Sequence, residues 1–86
     1  MARNETAMLI HIQYFAVLRE KAGRAEERLE TAAATPADLY EEVRQAHGFN
    51  LPRSLLKVAI NDEFCEWSQR LQAGDRVVFI PPVAGG

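Results

Sequence analysis

From Leu9 onward, apolar and polar residues alternate. Ile10, Ile12 and Tyr14 share one side, while Leu9, His11, Gln13 and Phe15 share the other. A period of two is the pattern of a strand with one buried face. The period then changes. Ala16 to Ala22, with Leu18 and Ala22 four apart, reads as a short helix that Gly23 stops. Arg24 to Thr31 alternates again, more weakly, through Ala25, Glu27, Leu29 and Thr31, and predicts a second strand paired hairpin-fashion with the first. The strongest helical signal comes next. Thr35 is a suitable N-cap, Pro36 suits the first helical position, and Asp38 sits in the first turn, where the helix dipole favours it. Leu39, Val43 and Ala46 make an apolar stripe with Tyr40 beside it, Gly48 stands where a C-terminal cap belongs, and Pro52 blocks continuation. Leu56 to Ile60 predicts a third strand, Asn61-Asp62 a turn and Phe64 to Trp67 a short edge strand. The Leu71 to Asp75 turn leads into a last strand, Arg76 to Ile80, which Pro81-Pro82 ends because neither residue can donate to a ladder.

One main helix against one mixed sheet of four or five strands is an α+β roll. The helix covers one sheet face, and nothing else in the sequence is available for the other. Placing Ile10, Ile12, Tyr14, Leu56, Val58, Ile60, Val77 and Phe79 towards the helix leaves His11, Gln13, Phe15, Lys57, Ala59, Arg76, Val78 and Ile80 on the open face. Most of these are polar or small, as a wetted face requires. Phe15, Val78 and Ile80 are not, and Phe64 joins them from the neighbouring turn. An apolar cluster on an uncovered face is a candidate partner site, although scattered exposed apolar residues are also ordinary on protein surfaces.

Composition narrows the function classes. The chain has 86 residues, 48% apolar and 26% charged, which suits one small domain with a thin core. A formal net charge of −2 gives no electrostatic case for nucleic acid or an anionic membrane, and no apolar run approaches the roughly 20 residues of a membrane span. Residues 1–7 read as a loose polar tail without the apolar centre of a signal peptide. With Cys65 the single cysteine, no disulfide framework or cysteine metal site is expected, and a reducing, cytoplasmic setting follows. Cys65 itself is expected to be buried or inert, His11 and the Glu26-Glu27-Arg28 run solvated, His47 a partner of the helix dipole, and Trp67 a residue of the core edge or of an interface. Arg19 and Lys57 are candidates to pair with acidic groups of a partner.

The end of the chain carries the chemistry. Pro81-Pro82-Val83-Ala84-Gly85-Gly86 follows the last strand directly, and six extended residues reach about 20 Å. The two prolines stiffen the base of this tail and aim it away from the sheet, and after them only Val83 is bulky. Glycines suit a narrow active site, because a backbone without Cβ enters it and adopts the φ it imposes. The carboxylate of Gly86 is ionised at neutral pH and is a poor acyl electrophile, so it needs activation, for instance as an acyl-adenylate. The chain has no phosphate-binding glycine pattern, so an enzyme must activate it in trans. No bound cofactor or metal is expected, and no acid–base pair is evident.

Tyr14-Phe15-Ala16-Val17-Leu18-Arg19-Glu20-Lys21-Ala22-Gly23, Val58-Ala59-Ile60-Asn61 and the stretch from Leu71 through Gly74-Asp75 and Pro81-Pro82-Val83 to Gly85-Gly86 resemble the small subunit of molybdopterin synthase. The resemblance runs from Leu9 to Gly86 and implies a ubiquitin-like β-grasp. It also implies that an E1-like adenylyltransferase adenylates Gly86, that a sulfur donor protein converts it to a thiocarboxylate, and that the tail 81–86 enters the large catalytic subunit. There it gives sulfur to cyclic pyranopterin monophosphate, one sulfur per tail, in a heterotetramer of two small and two large subunits. The same resemblance places the contact surface on Phe15, Phe64 and Ile80. Other readings share the Gly85-Gly86 end: a sulfur carrier for thiazole, cysteine or tRNA thiolation, and a modifier joined to lysines, since an activated acyl group accepts amines as well as sulfur. A plain binding module with an idle tail is a further alternative.

Overall fold

The computed structural model describes residues 7–82. Apart from Ala7, the N-terminal tail expected over 1–7 lies outside the described residues, as do Val83, Ala84, Gly85 and Gly86. The elements run β1 (Met8–Tyr14), α1 (Ala16–Ala22), β2 (Glu26–Thr31), α2 (Pro36–His47), a 3-10 turn (Arg53–Leu55), β3 (Lys57–Ile60), β4 (Glu63–Phe64) and β5 (Arg76–Ile80). Both helices end as the glycines foretold, with Gly23 and Gly48 left-handed at φ 77° and 74°, a conformation that costs a residue without Cβ little. Thr35 accepts a hydrogen bond from the Asp38 amide at 3.3 Å and so caps α2.

The five strands form one mixed sheet in the order β2-β1-β5-β3-β4. The first and last strands pair in parallel at its centre, with Ile12 opposite Val77 and Tyr14 opposite Phe79. β5 pairs antiparallel with β3, and Asn61 and Asp62 (φ 52° and 75°) turn β3 back into β4. Positive φ at both residues is what a two-residue hairpin of the primed type demands.

Ile10, Ile12, Tyr14, Leu39, Val43, Val58, Val77 and Phe79 are all buried between the sheet and α2. Burial of each such side chain stabilises the fold by about 1.5–3 kcal/mol. An aromatic seam runs through this core: Trp67 stacks on Phe79 with centroids 6.0 Å apart, and Tyr40 meets Phe79 edge-on at 5.2 Å. Trp67 thus belongs to the core edge, with the Arg53 guanidinium 5.6 Å above its ring.

Several expectations change. β2 begins at Glu26 and β3 at Lys57, and β4 is confined to Glu63–Phe64 because the chain leaves the ladder after Cys65 donates to the Val58 carbonyl at 3.1 Å. Ala46 is exposed, and its expected place in the core is taken by Phe49, just past the helix cap. Val78 is buried at 7% exposure despite its place on the open face. It lies on the central strand between Gln13 and Ala59, so neighbours on both sides shield it. Glu27 is also not solvated. One of its oxygens accepts from the Tyr14 hydroxyl at 2.7 Å and lies 2.9 Å from His47 Nε2. His47 therefore does more than complement the helix dipole: it joins α2 to the hairpin.

Candidate functional site

The site begins at the junction of β1 and α1. Phe15 is extended, at φ −123°, and Ala16 is left-handed at φ 54°, so the chain passes from strand to helix across one residue. A non-glycine residue in that conformation carries strain of order 1–3 kcal/mol, because its Cβ crowds the following carbonyl oxygen. The result is that Phe15 and Val17, at 41% and 45% exposure, flank the turn while Leu18 is buried in the core. Opposite them β5 ends. Phe15, Ala16, Val17, Glu20, Ile80, Pro81 and Pro82 line one open depression of about 500 Å³. Ile80 is half-buried and Pro82 exposed. Pro81 is buried, so of the two prolines expected to aim the tail outward only Pro82 is exposed, and the rest of the tail lies outside the described residues.

Not every expected residue meets here. Phe64 is the most exposed large apolar side chain, at 70%. It pairs with Ala59, which places it on the open face with Ile80, but β4 lies two strands from β5, a lateral step of about 10 Å. Phe64 instead borders a separate depression with Leu56, Lys57, Val58, Cys65 and Trp67. Arg19 is exposed on α1, its amide bonded to the Phe15 carbonyl at 3.4 Å, and its side chain is not part of the groove lining, where Glu20 stands. Lys57 is exposed directly opposite Ile80. Val17 and Glu20 were missed from the sequence. The available signal was Val17 lying off the Leu18–Ala22 stripe, an apolar residue with no place in the core.

The electrostatics are mild. Burial raises the Cys65 thiol pKa above its ordinary value, and the Glu66 and Asp75 carboxylates add to the effect, which disfavours the reactive thiolate. His11 is half-buried in a polar depression of the open face with Gln13, Glu26, Arg28 and Arg76. Among the described residues, no three His, Cys, Asp or Glu side chains come together as a metal site, and no helix is long and apolar enough to cross a membrane.

Solved structures with the same arrangement include a putative molybdopterin converting factor subunit 1 from Pyrococcus furiosus. It is 29% identical with a TM-score of 0.73, over 88% of this chain and 99% of that one. SAMP1 from Haloferax volcanii is 27% identical with a TM-score of 0.74, over 91% and 99%. A chain of the complex of subunits 1 and 2 of molybdopterin-converting factor from Helicobacter pylori is 22% identical with a TM-score of 0.63, over 92% and 100%, a likeness of fold alone. The fold is the ubiquitin-like β-grasp. The profile of the ThiS family matches residues 12–86, from the middle of β1 through the tail, and the chain belongs to that family.

Proposed function

We propose that this chain is a sulfur carrier for molybdenum cofactor biosynthesis and that it works through the carboxylate of Gly86. The observation that carries the reading is the position of the apolar groove. Phe15, Val17, Ile80 and Pro82 gather where β5 passes into the tail, so a protein that covers the groove receives the tail with it. In this reading an E1-like adenylyltransferase joins the Gly86 carboxylate to AMP, with loss of pyrophosphate from ATP. Sulfide released by a donor protein then attacks the acyl carbon, the bond to AMP breaks, AMP leaves, and a thiocarboxylate remains. Pro81, Pro82, Val83, Ala84 and Gly85 thread Gly86 into the large catalytic subunit of a molybdopterin synthase, where cyclic pyranopterin monophosphate takes the sulfur. Phe15 and Ile80 anchor the docked face, Phe64 extends it across the sheet, and Arg19 meets acidic groups at its rim. Two small and two large subunits make up the heterotetramer, working in the cytoplasm.

The likeness to the Pyrococcus furiosus converting factor supports this pathway. Co-expression with the adenylyltransferase and a sulfur source, followed by intact-mass measurement, tests the carrier step. One oxygen exchanged for sulfur at Gly86 is expected, and an unchanged mass refutes it. Addition of the large subunit and cyclic pyranopterin monophosphate then tests the pathway through dithiolene formation. A second reading, a lysine-linked modifier, is favoured by the likeness to a Haloferax volcanii small archaeal modifier protein 1 at 25% identity. It predicts isopeptide conjugates through Gly86 in place of a free thiocarboxylate.

A further inference from the structure

β2 is an edge strand, and among the described residues no strand pairs with its outer side. Its chemistry is not that of a merely blunted edge. The Tyr14 amide donates to the Ala25 carbonyl at 2.8 Å, and the register places Glu27 opposite Ile12, Leu29 opposite Ile10 and Thr31 opposite Met8. Hydrogen-bonding groups alternate along an antiparallel strand, so these odd-numbered residues turn their amides and carbonyls towards β1. Glu26, Arg28 and Glu30 therefore turn theirs outward, to the free edge. Their side chains are all exposed on the open face of the sheet. Within the chain, neither Arg28 nor Glu30 faces an opposite charge across the ladder: Arg28 stands opposite His11, and Glu30 opposite Leu9.

We propose that this edge pairs antiparallel with the same edge of a second copy, with Leu29 on the two-fold axis. The choice of register follows from charge. Only even-numbered residues offer outward backbone groups, so an even residue must pair with an even one. Centring the pair on Arg28 sets Arg28 against itself and Glu26 against Glu30. Centring it on Glu27 or Glu30 sets a carboxylate against its own copy. Centring it on Leu29 sets Arg28 of each chain opposite Glu30 of the other, and it satisfies the outward amides and carbonyls of both. On the opposite face, half-buried Leu29 meets Leu29, and Glu27 meets the neutral Thr31. Opposite charges and apolar pairs directly across a ladder stabilise it, and like charges do the reverse. The two sheets become one ten-stranded sheet, with each groove at Phe15 and Ile80 left open. Strand edges this short bury less than the roughly 1,200 Å² of a standard interface, so the pair is weak and forms at high protein concentration. This association is independent of the tail chemistry proposed above.

Sedimentation velocity of the full chain from micromolar to millimolar concentration at low salt tests it. The wild-type protein is expected to dimerise over this range and to dissociate as salt rises. Arg28→Glu and Glu30→Arg, each of which sets like charges opposite one another, are expected to weaken dimerisation about tenfold or more. The double variant R28E/E30R restores it, because the pairs are then only exchanged. Both positions are exposed, and circular dichroism checks that each variant is folded. A wild-type chain that stays monomeric at millimolar concentration overturns the proposal, as does a double variant no better than the singles. Deletion of Gly86 leaves the dimer unchanged, which separates this result from the carrier reading.

Discussion

Substitution of Tyr14 by Phe isolates one hydrogen bond in a buried cluster. The hydroxyl donates to Glu27 Oε1 at 2.7 Å, and the same oxygen lies 2.9 Å from His47 Nε2. The Tyr14 ring is 1% exposed and meets His47 and Phe49 edge-on, each at 5.6 Å, contacts that Phe keeps. The change therefore removes a hydrogen bond to a charged acceptor without opening a cavity, at a cost of about 1.5–3 kcal/mol at neutral pH. For a domain of this size, about 2 kcal/mol corresponds to roughly 8–16 °C in Tm. The loss depends on pH in a defined direction. Burial alone pushes the Glu27 pKa up, but hydrogen bonds from His47 and Tyr14, with the His47 and Arg24 charges, outweigh it and hold the pKa below the ordinary carboxylate value. A carboxyl whose folded pKa is depressed stabilises the fold above its unfolded pKa, and that stabilisation is lost as pH falls through the folded pKa. Urea titrations at neutral pH and at about pH 3, below the ordinary carboxylate value of about 4.3, compare the two regimes. The variant is expected to lose about 2 kcal/mol at neutral pH and much less in acid, with an unchanged m-value. A cost under about 0.5 kcal/mol at neutral pH, or an equal cost at both, refutes the role given to the bond.

If the proposed carrier function holds, Phe15→Ala or Ile80→Ala is expected to weaken binding of the large subunit by about 1–3 kcal/mol in calorimetric titration. Each destabilises the isolated chain less than Val58→Ala, a fully buried position where truncation costs about 1–3 kcal/mol. Equal destabilisation by both kinds of variant would show that the groove residues are core. On the same proposal, deletion of Gly86 is expected to abolish sulfur transfer, measured as dithiolene formation, and to leave Tm unchanged. Cys65, whose thiol pKa is raised by burial and by Glu66 and Asp75, reacts more slowly with iodoacetamide at neutral pH than a free cysteine, by mass spectrometry, and at comparable rates once urea unfolds the chain.

What was legible in the sequence was whatever depends on near neighbours. Gly23 and Gly48 announced the ends of α1 and α2, and Thr35, Pro36 and Asp38 the start of α2, because caps act within one turn. The inward set of β1 followed from strict alternation. What depends on strand order was hidden. Val78 alternates as an outward residue, and only its central position between β1 and β3 explains its burial. Phe64 shares a face with Ile80, yet the intervening strand β3 decides that it lies outside the groove. Glu27 carries no local mark of its partners, since Tyr14 and His47 lie 13 and 20 residues away. Phe49 follows the helix cap, where periodicity gives no warning of a core residue.

The parallel pairing of β1 with β5 governs the order in which a newly made chain matures. The centre of the sheet is incomplete until Val77 and Phe79 reach Ile12 and Tyr14, their partners on a strand far earlier in the chain. Contacts of such sequence separation form late and carry the largest loop-closure cost. A chain truncated within β5 therefore has no finished core and no groove, because that strand completes the one while Ile80 lines the other. In the carrier reading proposed above, the surface offered to a partner assembles only when the strand that leads into the tail is in place, so fragments truncated within β5 do not compete for that partner.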